Sequence, residues 1–183
     1  MPRPGATLLL CALHLALLCG AASAQEPRTA AFAELGPLVV HGSEADALML
    51  GLGLFDPLDN ETSVAATLEY RLGRKLGFVG PAVGGMANGE GGMFGYAGLY
   101  ADLSIGSFYF TPQLAAGAWR RGGSRDLGGV FQFRQSVDLG YRFANGHRLG
   151  LRIAHISNAD LHEQNPGAEE VHLTYTIAFG PLL

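Results

Sequence analysis

From about residue 44 onward, apolar and polar residues alternate along this chain with a period of two. The stretch 129–143 is the clearest: Phe131, Phe133, Val137, Leu139, Tyr141 and Phe143 share one parity, while Gln132, Arg134, Ser136, Asp138 and Arg142 share the other. Successive side chains of an extended strand point to opposite faces, so this pattern predicts a strand with one greasy and one polar side. The stretch 62–72 repeats it, with Val64, Ala66, Leu68, Tyr70 and Leu72 against Ser63, Thr67, Glu69 and Arg71. Near 44–55, Leu48, Leu50, Leu52 and Leu54 face Gly51 and Gly53. Extending the reading predicts eight strands, at 44–55, 62–72, 76–87, 92–105, 107–120, 129–143, 147–157 and 169–179. In the third to fifth, glycine and alanine occupy both faces and blur the alternation.

The connections alternate as well. Those after the second, fourth and sixth predicted strands are tight: Gly73-Arg74-Lys75, Gly106, and Ala144-Asn145-Gly146, the last holding a hairpin dipeptide. Those after the first, fifth and seventh are longer and polar: Asp56 to Glu61, Arg121 to Gly128, and Asn158 to Ala168. Short turns at one end and long loops at the other mark an outer-membrane barrel, whose long loops face the cell exterior.

Composition sharpens the picture. The chain is 48% hydrophobic and only 15% charged, with 27 glycines among 183 residues. Beyond the N-terminal segment it has no run of apolar residues long enough for a transmembrane helix. Many short alternating segments reconcile these facts, and the expected fold is an all-β, eight-stranded antiparallel transmembrane barrel. A soluble β-barrel or sandwich would carry the same alternation with its greasy face inward, and periodicity alone does not fix that sign. Arg134, Asp138 and Arg142 on one parity suit a small barrel's polar interior, cross-paired in a network.

The first residues read differently. Arg3, an apolar run from Ala6 to Leu18 and Ala22-Ser23-Ala24 have the layout of a secretory signal peptide covering 1–24. Residues 25–43 form a leader without an assigned structure, and the barrel domain spans 44–183. Cys11 and Cys19 both fall in the signal segment, so the mature part contains no cysteine and uses no disulfide. Losing Arg3 moves the formal net charge from −4 to −5, which gives no support for nucleic-acid binding.

The chemistry concentrates in HISNADLHEQNPGAEEVHLTYTIAF. His155 and Ser157 share the odd, greasy parity of Leu149, Leu151 and Ile153, and two residues along a strand stand about 7 Å apart. Glu169 has the parity of Val171, Leu173 and Tyr175 on the next antiparallel strand, while Glu170 should point into the barrel. A histidine, a hydroxyl and a carboxylate are the parts of an activated serine: base, nucleophile and orienting acid. Ionisable groups within a lipid-facing band are costly and mark function. Asn158 and Asn165 are candidate oxyanion donors. Arg120, Arg121 and Arg125 flank a long loop and are candidate contacts for lipid phosphates, against a reading as a solvated loop end. His155, His162, Glu163 and His172 have no convincing ligand spacing, so no metal is expected.

The run H-x-S-N-A (His155, Ser157, Asn158, Ala159), then N-x-G-x-E (Asn165, Gly167, Glu169) and a final apolar strand resembles the PagL-type lipid A 3-O-deacylases, which are eight-stranded outer-membrane barrels. The resemblance implies Ser157 as nucleophile, His155 as base and Glu169 as third member. It implies hydrolysis of the ester-linked 3-hydroxyacyl chain at position 3 of lipid A in the outer leaflet, with no cofactor. Lipopolysaccharide and outer-membrane lipid would be the partners, and a homodimer stays open. Asp160 stands where the family pattern has a small residue. The reading from another class is a non-catalytic small barrel, an OmpA-like or OmpW-like structural or adhesive protein.

Overall fold

A computed structural model describes residues 31–59 and 62–180. The expected signal peptide lies outside them. The strands are β1 (Ala31–Leu35), β2 (Leu38–His41), β3 (Asp46–Phe55), β4 (Ser63–Arg71), β5 (Val79–Asn88), β6 (Met93–Ala101), β7 (Leu103–Ile105), β8 (Phe108–Arg120), β9 (Phe131–Arg142), β10 (Arg148–Ser157) and β11 (Ala168–Phe179). Antiparallel neighbours run β3-β4-β5-β6-β8-β9-β10-β11, and β11 pairs back onto β3 along Asp46 to Phe55, which closes an eight-stranded barrel. Closure leaves these eight strands no free edge, as a hydrocarbon environment requires of any sheet that crosses it.

The sign of the two faces is now settled. Glu69, Arg71, Arg134, Asp138, Arg152, Glu170 and His172 are buried in the lumen, whereas Leu52, Val64, Leu68, Leu114, Leu151 and Leu173 are exposed on the outside. A water-soluble barrel would have these faces exchanged, so this wall is built to sit in lipid. Aromatic pairs gather at the end carrying the short turns: Phe108 against Tyr141, Tyr141 against Phe143, and Tyr70 against Phe179. Such amphipathic rings suit a membrane–water boundary.

The lumen has two storeys. Toward the long loops it holds an apolar plug of Phe55, Met86, Phe94, Trp119, Leu127, Ile156 and Ala168. Beneath it lies an ion network. Arg152 joins Glu69 at 2.9 Å and Asp138, Arg71 shares the same two carboxylates, and Arg134 meets Glu170 at 2.6 Å. Arg134, Asp138 and Arg142 occupy one face of β9, yet each pairs with a different strand or loop, Arg142 reaching Glu44 at 3.1 Å. Glycines in the wall make room for lumenal tyrosines. A Cβ on Gly84 would lie 2.7 Å from the Tyr96 ring, and one on Gly150 would lie 2.1 Å from the Tyr109 hydroxyl.

The leader left unassigned between residues 25 and 43 contributes a hairpin, β1–β2, turned at Gly36 with φ of 63°. Leu38, Val39 and Val40 of β2 pair with Ile105, Ser104 and Leu103 of β7. The predicted strand 92–105 divides at Asp102, where its neighbour changes from β5 to β2. The hairpin thus caps ladder groups that β5, starting only at Val79, does not reach. His41 locks the junction: its Nε2 lies 2.7 Å from Ser104 Oγ, and its backbone N–H donates to Asp102 O at 2.9 Å.

Two expectations follow. Asp138→Ala would leave the buried Arg71 and Arg152 with Glu69 as their one shared carboxylate and cost about 3–5 kcal/mol, read from urea unfolding of the barrel in detergent; Leu139→Ala, on the lipid side of the next residue, would cost less. Burial, aided by Arg142, lowers the His41 pKa from 6.5 to about 4. As pH falls through that interval the unfolded chain takes up a proton that the folded hairpin refuses, so stability is present above 6.5 and lost toward 4. Intrinsic-rate-corrected hydrogen exchange at Val39 and Val40 should accelerate from pH 7.5 to pH 5, in arbitrary mild acid steps of roughly one unit, and His41→Gln should remove that dependence.

Candidate active site

Ile156 fixes the side on which the site is built. Its side chain is fully buried in the apolar plug, so its neighbours His155 and Ser157 must face the outer wall. Antiparallel register then chooses their partners. His155 stands directly opposite Glu169 on β11 and opposite Gln135 on β9, and Ser157 stands opposite Phe133. His155 Nδ1 lies 3.1 Å from Glu169 Oε1, with the side chains 46% and 37% exposed. An ionised carboxylate only accepts, so this contact places the proton on Nδ1 and leaves Nε2 as a base. Glu170, one residue on, is wholly buried against Arg134.

Ser157 shares the outer face with His155 and is half-buried, and its Oγ is not hydrogen-bonded to the imidazole. Gly167 shapes the other side of the ring. Its φ of 67° is left-handed, and a Cβ there would sit 2.8 Å from His155 Cε1 and 3.4 Å from Nε2. Glycine is therefore needed twice, for the backbone angle and for the close approach to the imidazole.

The two candidate oxyanion asparagines are placed differently. Asn158 is buried, and its amide donates to Leu127 O at 2.9 Å and Gln164 O at 2.7 Å, which uses both of its hydrogens. Asn165 accepts from the Asn158 backbone N–H at 2.9 Å and donates to Asp160 Oδ1 at 3.1 Å, which leaves one amide hydrogen without a partner among the described residues. Ala159 and Asp160 both have positive φ, 53° and 61°, so the chain turns sharply behind the serine to bring Asp160 beneath Asn165.

The arginines divide too. Arg125 is held by Asp56 at 2.6 Å and by Asp59, and Arg121 by Asp126 at 3.0 Å. Burial raises the Asp56 carboxyl even though Arg125 opposes it. Arg120 is exposed and forms no ion pair among the described residues; with Arg121, Trp119 and Val130 it borders an outer groove of about 530 Å³. His162 packs against Gly129, and His172 lies in the lumen; no cluster of metal-ligating side chains occurs among the described residues. Sequence parity reached His155, Ser157 and Glu169 but passed over Gln135, the one amide in the outward series 131–141 of β9. It also gave no hint of the Asp160–Asn165 contact, which needs the loop's three-dimensional turn.

Asn158 is thus a tie between the loops 121–130 and 158–167. Asn158→Ala should speed trypsin cleavage after Arg121 and Arg125 several-fold while the barrel keeps its folded mobility on unheated gels.

Comparison with known proteins gives one consistent result. The lipid A 3-O-deacylase (PagL) family matches residues 58–178. The lipid A deacylase PagL of Bordetella bronchiseptica is 36% identical over 81 residues, covering 44% of this chain and 42% of that protein. The lipid A deacylase PagL of Pseudomonas aeruginosa is 39% identical over 64 residues, covering 35% of this chain and 37% of that protein. The matched segments therefore span less than half the length of either relative. A crystal structure of the outer membrane enzyme PagL superposes with a TM-score of 0.55 at 18% identity, over 74% of this chain and 100% of that one, which is a likeness of fold.

Proposed function

The chain belongs to the PagL family of lipid A 3-O-deacylases, and from that premise we propose that it is an outer-membrane serine esterase that releases the 3-hydroxyacyl chain ester-linked at position 3 of lipid A. The observation that carries this reading is the register pair His155–Glu169 on the outward, lipid-facing side of the wall, with Ser157 on the same face. Nothing in a structural barrel calls for an imidazole and a carboxylate to be matched there, because ionisable groups at the edge of hydrocarbon are costly.

Ser157 is the nucleophile. His155 Nε2 takes the Oγ proton as Oγ bonds to the ester carbonyl carbon, while Glu169 holds the Nδ1 tautomer and stabilises the imidazolium. A rotation of the Ser157 side chain brings Oγ to Nε2; such contacts commonly tighten only when substrate is bound. The oxyanion of the tetrahedral intermediate is met by the spare Asn165 amide hydrogen, which Asp160 and the Asn158 backbone hold in place. Collapse breaks the ester C–O bond, and His155 protonates the departing sugar oxygen. Water then attacks the acyl-enzyme by the reverse proton path and releases the 3-hydroxy fatty acid. The catalytic groups all belong to the outer surface, so the acyl chain stays among its lipid neighbours throughout. Arg120, at the rim above this face, is the cation left to meet a lipid phosphate.

Mass spectra of lipid A from cells expressing the protein test the reading. Loss of one 3-hydroxyacyl group is expected for the wild type. Ser157→Ala and His155→Ala should each lower turnover by roughly 10³-fold or more, and Glu169→Ala by less, at equal levels of folded protein. An unaltered lipid A profile with wild-type protein in an outer membrane that presents the substrate would overturn it.

A further inference from the structure

Gln135 is out of place in the lipid-facing wall. On β9 its outward companions are Phe131, Phe133, Val137, Leu139 and Tyr141, and across the strand gap on β8 it faces Leu114. It is exposed, no hydrogen bond holds its amide, and nothing inside the barrel accounts for it. Its one polar neighbour by register is His155, directly opposite on β10. His155 is therefore flanked on the wall by Glu169 on one side and by Gln135 on the other. Side chains directly opposite on an antiparallel pair have Cβ atoms about 4.5–5.5 Å apart, so the Gln135 amide shares the space in front of the imidazole.

Depth gives the amide a task. β10 runs outward from Arg148 to Ser157 and β9 runs inward from Phe131 to Arg142. Ser157 is level with Phe133, so Gln135 lies one side-chain level deeper, toward the bilayer centre. An ester whose carbonyl carbon meets Ser157 sends its acyl chain in that same direction. The hydroxyl of a 3-hydroxyacyl chain is borne two carbons past the carbonyl, and Ser157 and Gln135 are diagonal neighbours about 7–8 Å apart, somewhat less between their Cβ atoms, a gap that the long glutamine side chain and the first carbons of the chain fill together.

Resting on the reading of the site as a 3-O-deacylase, we propose that Gln135 is a specificity subsite that binds the 3-hydroxyl of the scissile acyl chain. Its amide can both donate to and accept from a hydroxyl, and the apolar side chains around it strengthen that bond by limiting competing water. An acyl chain lacking the hydroxyl leaves the amide without a partner, which is how a polar subsite discriminates more sharply than an apolar one. The lipid face thus selects hydroxylated chains over the plain phospholipid acyl chains around them, without an enclosed pocket.

The test uses purified, folded protein in detergent micelles and two synthetic acylated glucosamine phosphates, alike except that the 3-O-acyl chain carries or lacks the 3-hydroxyl. The wild type should favour the hydroxylated ester in kcat/KM by at least about tenfold, roughly one hydrogen bond's worth of discrimination. In Gln135→Leu, which restores the apolar pattern of the wall, that ratio should fall to about one, with the rate on the plain ester unchanged within about twofold. Gln135→Asn, with a shorter amide, should recover part of the ratio. A wild-type ratio near one, a ratio kept by Gln135→Leu, or an equal loss on both esters overturns the subsite while leaving the deacylase reading in place. Failure of the wild type to cleave either ester overturns both.

Discussion

Everything in this protein depends on one constraint: hydrocarbon supplies no hydrogen-bond partners. Backbone groups must therefore be paired inside the sheet, and the sheet must close. Closure of β11 onto β3 meets that demand and fixes the polarity of every strand. Side chains of one parity go to lipid and must be apolar. Those of the other go into a lumen too narrow for bulk water, and charges there must neutralise one another. Glu69 and Asp138, each shared by Arg71 and Arg152, are the local answer. Breaking one member would leave the others charged and dry, which is why such a network rigidifies the barrel while adding little net stability compared with an apolar filling.

The same constraint bears on where the proposed triad sits. A side chain that works on a lipid must face outward, yet an outward polar group is penalised unless it lies near the interface. His155, Ser157 and Glu169 sit at the outer ends of β10 and β11, beside the loops, where that penalty is smallest and where an ester at the base of a sugar headgroup would lie. Directly behind them Ile156 and Ala168 anchor the wall in the apolar plug. The outward face can stay partly exposed because the inward face is tightly packed.

Much of this was legible in the sequence because a barrel strand writes both faces into alternate letters. The eight strands and the parity of Glu169 against Glu170 follow from period two, and the tight turns at Gly106 and Ala144-Asn145-Gly146 from their glycines; the turn expected at Gly73-Arg74-Lys75 is instead a longer connection from 72 to 78, because β5 starts only at Val79. The rest depends on information that periodicity does not carry. The direction of the greasy face had to come from three-dimensional closure. The hairpin β1–β2 escaped notice because its strands are short and AFAEL and LVVH have apolar residues on both parities; its role comes from pairing with β7, far away in sequence. The Asn158 amide is a natural donor by type, but its use as a tie to Leu127 and Gln164 depends on two loops meeting over the barrel mouth. Gln135 could have been found, since it interrupts an otherwise apolar series, but its meaning depends on the register that sets it beside His155.

The filled lumen has a consequence for the cell that carries the protein. Phe55, Trp119, Leu127 and Ile156 stop the upper half, and interlocked arginines and carboxylates stop the lower half. Among the described residues the cylinder therefore offers no conduit for ions or small solutes. Its abundance can rise without making the envelope leaky, so the amount of working surface displayed is decoupled from the barrier's permeability.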